Sequence, residues 1–151
     1  MNDSSKTSSA VPRKAWYGLR ALFELASRED SAPVKVQEIA ARQQIPVRFL
    51  ETILCELRQA GIVSSQQGQN GGYMLAKAAD AISVAEILRL LNGLPSYPSP
   101  VARDCSVNGD RAFAGLWREV ETTTQAIYEA ATLAALVERE RQEADVYDYV
   151  I

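Results

Sequence analysis

The chain has 151 residues, a formal net charge of −3 and no histidine. This length fits one domain with a hydrophobic core, and no apolar run reaches the roughly 20 residues that cross a membrane. The lack of histidine excludes His-based triads and HExxH zinc sites. No nucleophile motif or carboxylate pair replaces them, so we predict no catalytic residue and no enzyme. The polar N-terminus lacks a signal-type apolar region and the two cysteines give no disulfide framework, so we expect a cytoplasmic protein.

Charge is distributed unevenly along the chain. Residues 13–77 carry nine Lys and Arg against six acidic residues, whereas residues 78–151 carry six Arg against twelve acidic residues. A basic half joined to an acidic half is typical of a DNA-contacting module with a separate assembly module. The alternative is that the asymmetry is chance variation in surface charge.

Residues 1–12 predict a disordered tail, and two helices follow it. The stretch "RKAWYGLRALFELASRE" has helical apolar spacing, and "SAPVKVQEIAARQQIP" predicts a short helix that ends before Pro46. The apolar positions are Trp16, Leu19, Leu22, Phe23 and Ala26 in the first helix, and Val36, Ile39 and Ala40 in the second.

A third helix is predicted over "PVRFLETILCELRQAG". Pro46 suits its first turn and Gly61 suits the position just after its end. The expected apolar face is Phe49 or Leu50, then Ile53, Leu54 and Leu57. The tight "QQIP" connection between the second and third helices predicts a helix-turn-helix.

The segment "SSQQGQNGGYMLA" lacks the glycine spacing of a nucleotide-binding loop. It reads as two short strands, Ile62–Gln66 and Gly72–Ala76, joined by a polar tip from Gln67 to Gly71. Glycines in such a tip permit positive φ and close approach of the backbone. A strand pair directly after a helix-turn-helix predicts a winged helix over residues 13–92.

The second half of the chain is predicted to mediate assembly. A fourth helix, "DAISVAEILRLLNG", has Ser83 as N-cap and Gly93 at its end, and a proline-containing loop spans residues 93–110. From residue 111 to 145 we predict a dimerisation region, in which a long helix with one apolar stripe is followed by a short helix, and residues 146–151 form an acidic tail. The stripe residues are Phe113, Leu116, Trp117, Val120 and Ile127. The predicted fold class is therefore mainly α with a small β-wing and a long C-terminal dimerisation helix.

Three stretches, "YGLRALFELA", "VKVQEIAARQQIPVRFLETILCELRQAGIVSS" and "GGYMLAK", together resemble the Rrf-two family of bacterial winged-helix transcription regulators, over about residues 13–136. The resemblance implies a homodimer that is held by the long C-terminal helix and binds a pseudo-palindromic operator in double-stranded DNA. It also implies, for many members, an iron–sulfur cluster on three cysteines ahead of that helix.

The chain departs from that cysteine pattern. Counting back from Leu116 in steps of about six residues places Arg111, Cys105 and Ser99 at the family's cysteine positions, and Ala114 stands near the position where some members carry a fourth ligand. One thiolate is poor for iron–sulfur ligation, so no cofactor is predicted. The alternative is that Cys105 serves as a redox thiol, or as a ligand of an atypical cluster with an oxygen ligand such as Asp104 or Asp110.

The DNA-contacting residues are predicted in the recognition helix and the wing. Arg48 suits guanine or phosphate and Glu51 suits the cytosine amine, although both could form a plain surface pair and Phe49 could be core. Gln67 stands where the family usually has an arginine, and Cys55 is expected to be a small buried filler. The full predicted set is Lys14, Pro46, Val47, Arg48, Phe49, Glu51, Thr52, Gln67, Asn70 and Tyr73.

The favoured function is a dimeric, sequence-specific DNA-binding transcriptional regulator that acts as a repressor. One alternative is a winged-helix module that contacts only proteins, and the wing is then a plain hairpin. The other is a redox or iron–sulfur-sensing regulator that uses Cys105.

Overall fold

The computed structural model of the protein describes residues 11–94 and 109–148. Within these ranges it contains six α-helices and one two-stranded antiparallel sheet, which confirms the predicted mainly α fold with a small wing. The elements are α1 (Arg13–Ala26), α2 (Val36–Gln43), α3 (Val47–Gln59), β1 (Val63–Gln66), β2 (Gly72–Leu75), α4 (Val84–Leu90), α5 (Asp110–Ala130) and α6 (Leu133–Asp148), with a 3-10 turn at Ala79–Ala81 before α4.

Helix α1 packs against α2, α3, α4 and α6. The predicted face is buried only in part, because Leu22 lies in the core but Trp16 is 52% exposed, and the buried positions also include small residues. Gly18 lies so close to Leu91 that a Cβ at this position would clash with the leucine side chain. Small residues therefore let α1 approach its neighbours closely, and Trp16 lies outside this contact.

The helix-turn-helix consists of α2 and α3. Helix α2 is capped at its C-terminal end by Gln44, which has a left-handed backbone conformation (φ 52°). The Ile45 N–H then donates to the Ala40 carbonyl oxygen at 2.9 Å. Helix α3 buries the predicted face with Leu50, rather than Phe49, as its first member. At its other end the N–H of Ile62 donates to the Leu57 carbonyl oxygen at 2.9 Å, which closes the helix as predicted for a glycine at position 61.

The wing follows directly, with Gln66 paired to Gly72 and Val63 paired to Leu75. Its tip is a turn that is closed by the Gly71 N–H donating to the Gly68 carbonyl oxygen at 3.0 Å. On its other side β2 meets the segment before α2, because Tyr73 and Val34 exchange two backbone hydrogen bonds of 2.8 Å. Gly72 has a φ of +152° and no space for a Cβ beside the Val34 backbone, so glycine is required there.

Helices α4, α5 and α6 follow the wing. The Ser83 hydroxyl accepts from the Glu86 N–H, which confirms the predicted N-cap of α4, but the left-handed residue after this helix is Asn92 rather than Gly93. Helix α6 is longer than the short helix predicted, at 16 residues, and it packs on α1. Its Leu133 belongs to the same hydrophobic core as α1, α3 and α4.

Candidate nucleic-acid interface

The solvent-facing side of α3 carries the predicted recognition residues. Leu50, Ile53, Leu54 and Leu57 face the core; on the outside Arg48, Glu51 and Thr52 are exposed, as are Pro46 and Val47 at the start of the helix. Such a division of one helix into a buried and a polar face follows from its 3.6-residue period. The outer face is therefore available to base edges.

Two competing interpretations of this helix are wrong. Phe49 is not a core residue, because its side chain is 64% exposed. Arg48 and Glu51 do not form a surface pair, because neither belongs to an ion pair within the described ranges. Among the described residues neither charge therefore has an ionic partner, and both side chains are exposed.

Cys55 also corrects a prediction. The residue is a free, half-buried cysteine rather than the predicted buried filler. Its sulfur accepts a hydrogen bond from the Gln59 side-chain amide at 3.7 Å. Its position follows from helix geometry, since residue 55 lies seven positions after Arg48 and therefore on nearly the same side of α3. Its sequence neighbours Leu54 and Leu57 are buried, but residue 55 lies outside the side of α3 that faces the core.

The wing residues fall into two groups. Gln67, Gln69 and Asn70 are exposed at the tip, as predicted for a contact surface. Tyr73 is half-buried, packs against the core and pairs its backbone with Val34. The structure thus brings Gln67 and Asn70 together at the tip, whereas Tyr73 lies at the base of the wing.

Lys14 lies at the start of α1, beside the recognition helix. Its Nζ is 2.8 Å from the Glu56 Oε2 of α3, and both side chains remain partly exposed. Exposed ion pairs of this kind contribute little to stability. The contact nevertheless fixes the position of a lysine beside the outer face of α3.

A polar cluster behind the helix-turn-helix was not predicted from the sequence. Glu24 of α1 is a buried carboxylate; its Oε1 is 3.2 Å from Arg42 Nη1, and its Oε2 accepts from Gln43 Nε2 at 3.1 Å. Arg28 adds a more distant contact to Glu24 and pairs with Glu38 of α2. Because buried charges are expensive unless paired, this cluster holds α2 in one position against α1.

The predicted dimerisation stripe lies on α5, a helix without any buried residue. Phe113, Leu116 and Ile127 are 59%, 48% and 62% exposed, whereas Trp117 and Val120 are half-buried. The helix packs on α4, where Arg89 and Glu129 form an ion pair. Trp117 and Val120 are therefore partly covered, whereas Phe113, Leu116 and Ile127 face solvent.

Cys105 lies outside the described residues. On the described side of that loop, the first turns of α5 present Asp110, Arg111 and Ala114, of which Asp110 alone has a side chain that suits a metal. An arginine and an alanine at this point do not fit a cluster's ligand set. In the described ranges no three His, Cys, Asp or Glu side chains are grouped as a metal site would require. Among the same residues there is also no helix long and apolar enough to span a bilayer.

Comparison with known proteins places this arrangement in a family. The model of the Rrf2 family, described as iron-dependent transcriptional regulators, matches residues 11–139. A relative from Synechocystis sp. is 40% identical over 125 residues, which cover 82% of this chain and 84% of the relative. The HTH-type transcriptional regulator CymR of Bacillus subtilis is 30% identical over 141 residues, which cover 93% of this chain and 99% of CymR.

Solved structures agree with the sequence relatives. The structure of CymR, the global cysteine regulator of B. subtilis, matches with a TM-score of 0.73 at 30% identity and covers 85% of this chain and 96% of CymR. That of T. potens IscR matches with a TM-score of 0.71 at 32% identity and covers 86% of this chain and 87% of IscR. Transcriptional regulators are not enzymes. The chain belongs to the Rrf2 family and is a winged-helix, DNA-binding transcriptional regulator.

Proposed function

We propose that the protein is a homodimer that binds a near-palindromic operator through two winged helices and represses transcription from the adjoining promoter. The observation that carries the proposal is the outer face of α3, where Arg48 and Glu51 are exposed and have no ionic partner within the described ranges. A regulator of this kind acts on DNA in the cytoplasm.

Arg48 and Glu51 have complementary chemistry toward base edges. A guanidinium donates to guanine O6 and N7, and a carboxylate accepts from the cytosine amine. Thr52, whose hydroxyl donates to the Arg48 carbonyl oxygen at 3.3 Å, lies next to Arg48 on the same exposed face. Since both charges are exposed in the free protein, neither must break an ion pair before it meets DNA.

Selection from random duplexes tests the recognition role. We expect the wild-type protein to enrich a motif with half-sites one helical turn, or a multiple of it, apart. Arg48→Ala and Glu51→Ala should each relax preference at defined positions, by roughly 1–3 kcal/mol. Gln59→Ala, further along the same exposed face of α3, is the matched control. Recovery of no motif from a folded wild-type protein would favour the alternative of a module that contacts only proteins.

Dimerisation is proposed through the stripe on α5. The stripe residues Phe113, Leu116, Val120 and Ile127 follow the steps of three, four and seven that make the seam of a coiled coil, and Phe113, Leu116 and Ile127 are exposed. Such an apolar face is best covered by its own copy, because a two-fold interface uses the same patch on both chains. Each large side chain buried there contributes ~1.5–3 kcal/mol.

The dimer has a direct test. Leu116→Glu and Ile127→Glu place charges on the exposed edge of the stripe, where they leave the fold of the single chain intact, and we expect a monomer in light scattering. Gln125→Glu, exposed on another side of α5, is the matched control and should stay dimeric. If the Leu116 and Ile127 variants also remain dimers, the assembly surface lies elsewhere.

Repression and redox sensing are tested by separate experiments. Removing the protein from cells should raise transcription of the operon that carries the selected motif; a fall would mean activation. For the alternative based on Cys105, the visible absorption spectrum of protein purified without oxygen decides, because iron–sulfur clusters absorb visible light.

A further inference from the structure

We propose that a recess between α1 and α3 binds the sugar–phosphate backbone of the operator beside the recognition helix. The α1–α3 recess is lined by Arg13, Lys14, Tyr17, Phe49, Thr52 and Ile53. In the bound state, a deoxyribose would pack on Phe49 and Tyr17, and its phosphate would meet Arg13 and Lys14. The proposal rests on the proposed DNA-binding function and assigns to Phe49 a role that differs from base reading.

The recess has the shape and chemistry for such a group. Its volume is about 400 Å³, in the range of pockets that hold small organic groups. Its aromatic walls are Tyr17 and the exposed ring of Phe49, and its floor includes the buried Ile53. Apolar walls beside two cations match a nucleotide backbone, in which the C–H faces of the deoxyribose adjoin an anionic phosphate.

Helix geometry separates Phe49 from the base-reading residues. At about 100° per residue, Phe49 projects roughly 100° around α3 from Arg48 and roughly 160° from Glu51. When Arg48 and Glu51 are directed at base edges in the major groove, Phe49 therefore points away from the bases, toward the flank of α3 that meets α1. In the proposed complex, a sugar–phosphate strand that borders the groove lies along this flank. The α1 residues that share the recess lie on the same flank.

The charges on the rim favour an anion. Arg13 is exposed and has no ion pair among the residues that the structure describes. Lys14 is held by Glu56 at 2.8 Å, so a phosphate would share this ammonium group with the carboxylate. Contacts of this type position a protein on DNA without reading its sequence, and each cation that neutralises a phosphate steepens the salt dependence.

Fluorescence anisotropy with the full chain tests the recess on two labelled duplexes, the selected motif and a scrambled version of it. We expect Phe49→Ala to weaken binding to both duplexes by the same factor, about tenfold, with the enriched motif unchanged. Arg13→Gln should lower the salt slope by about one unit per protomer. Glu56→Gln should tighten binding to both duplexes, because it removes the competitor for Lys14.

Glu51→Ala is the control, since it should alter the motif rather than weaken both duplexes equally. A changed base preference in Phe49→Ala would show that Phe49 reads a base, and unchanged affinity for both duplexes would show that DNA does not enter the recess; either result overturns the proposal. Thermal melts of each variant confirm folding. Failure of the wild-type protein to prefer its motif overturns the proposed function instead, and that comparison is made before any variant is measured.

Discussion

Replacing Gly72 with alanine tests how the wing is held against the helical body. The positive φ of this glycine and its contact with the Val34 backbone leave no space for a Cβ. To admit one, the strand must move away from Val34, and the two 2.8 Å hydrogen bonds between Val34 and Tyr73 lie at this contact. At ~1 kcal/mol for each of the two bonds and ~1–3 kcal/mol for the strained backbone, we expect a loss of about 3–5 kcal/mol.

Gly68→Ala is the matched control, because Gly68 also has a positive φ (+107°) but no atom lies within 4 Å of the position that a methyl group would take there. It should lose only the strain, about 1–2 kcal/mol. Urea unfolding followed by circular dichroism at one protomer concentration measures both, since a dimer's stability depends on concentration. If Gly72→Ala is no less stable than Gly68→Ala, the contact with Val34 does not hold the wing.

Three further changes have defined outcomes. Glu24→Ala should cost about 1–3 kcal/mol in urea unfolding, because Gln43 and the largely buried Arg28 lose a partner; an unchanged midpoint would mean that the cluster does not hold α2. Gln44→Gly should stabilise by about 0.5–1 kcal/mol in the same assay, because glycine adopts the left-handed conformation without strain. Gln67→Arg should steepen the salt dependence of operator binding by about two units per dimer and add preference for flanking A·T pairs; an unchanged slope would mean that the wing tip does not reach DNA.

The order of elements was predictable because each has a local cause. Periodic apolar residues predicted α3 and its buried face from Leu50 to Leu57, Ser83 predicted the start of α4, and paired glycines predicted the turn back into β2. Each of these signals depends only on residues within one helical turn or one hairpin, so the local sequence is sufficient to predict the element.

The structural features that the sequence did not predict depend on contacts between residues that are far apart in the chain. Helix α1 has apolar residues on more than one side, so its spacing did not reveal that the side with Gly18, rather than the side with Trp16, packs inward. The partners of Glu24 lie 18 and 19 residues away on α2, and no local pattern links them. The α1–α3 recess likewise forms only when two helices that are far apart in sequence meet.

Cys55 offers a test of the DNA-facing side of α3 that leaves every proposed contact residue in place. Its thiol is partly exposed on nearly the same side of the helix as Arg48, so a bound duplex should shield it. In a Cys105→Ser background, we expect a maleimide reagent to label Cys55 in the free protein and operator DNA to slow that labelling. Protection should weaken at high salt, because phosphate contacts weaken as ionic strength rises. Equal labelling rates with and without saturating operator would show that this side of α3 stays in solvent, and the orientation proposed for the recognition helix would have to be abandoned.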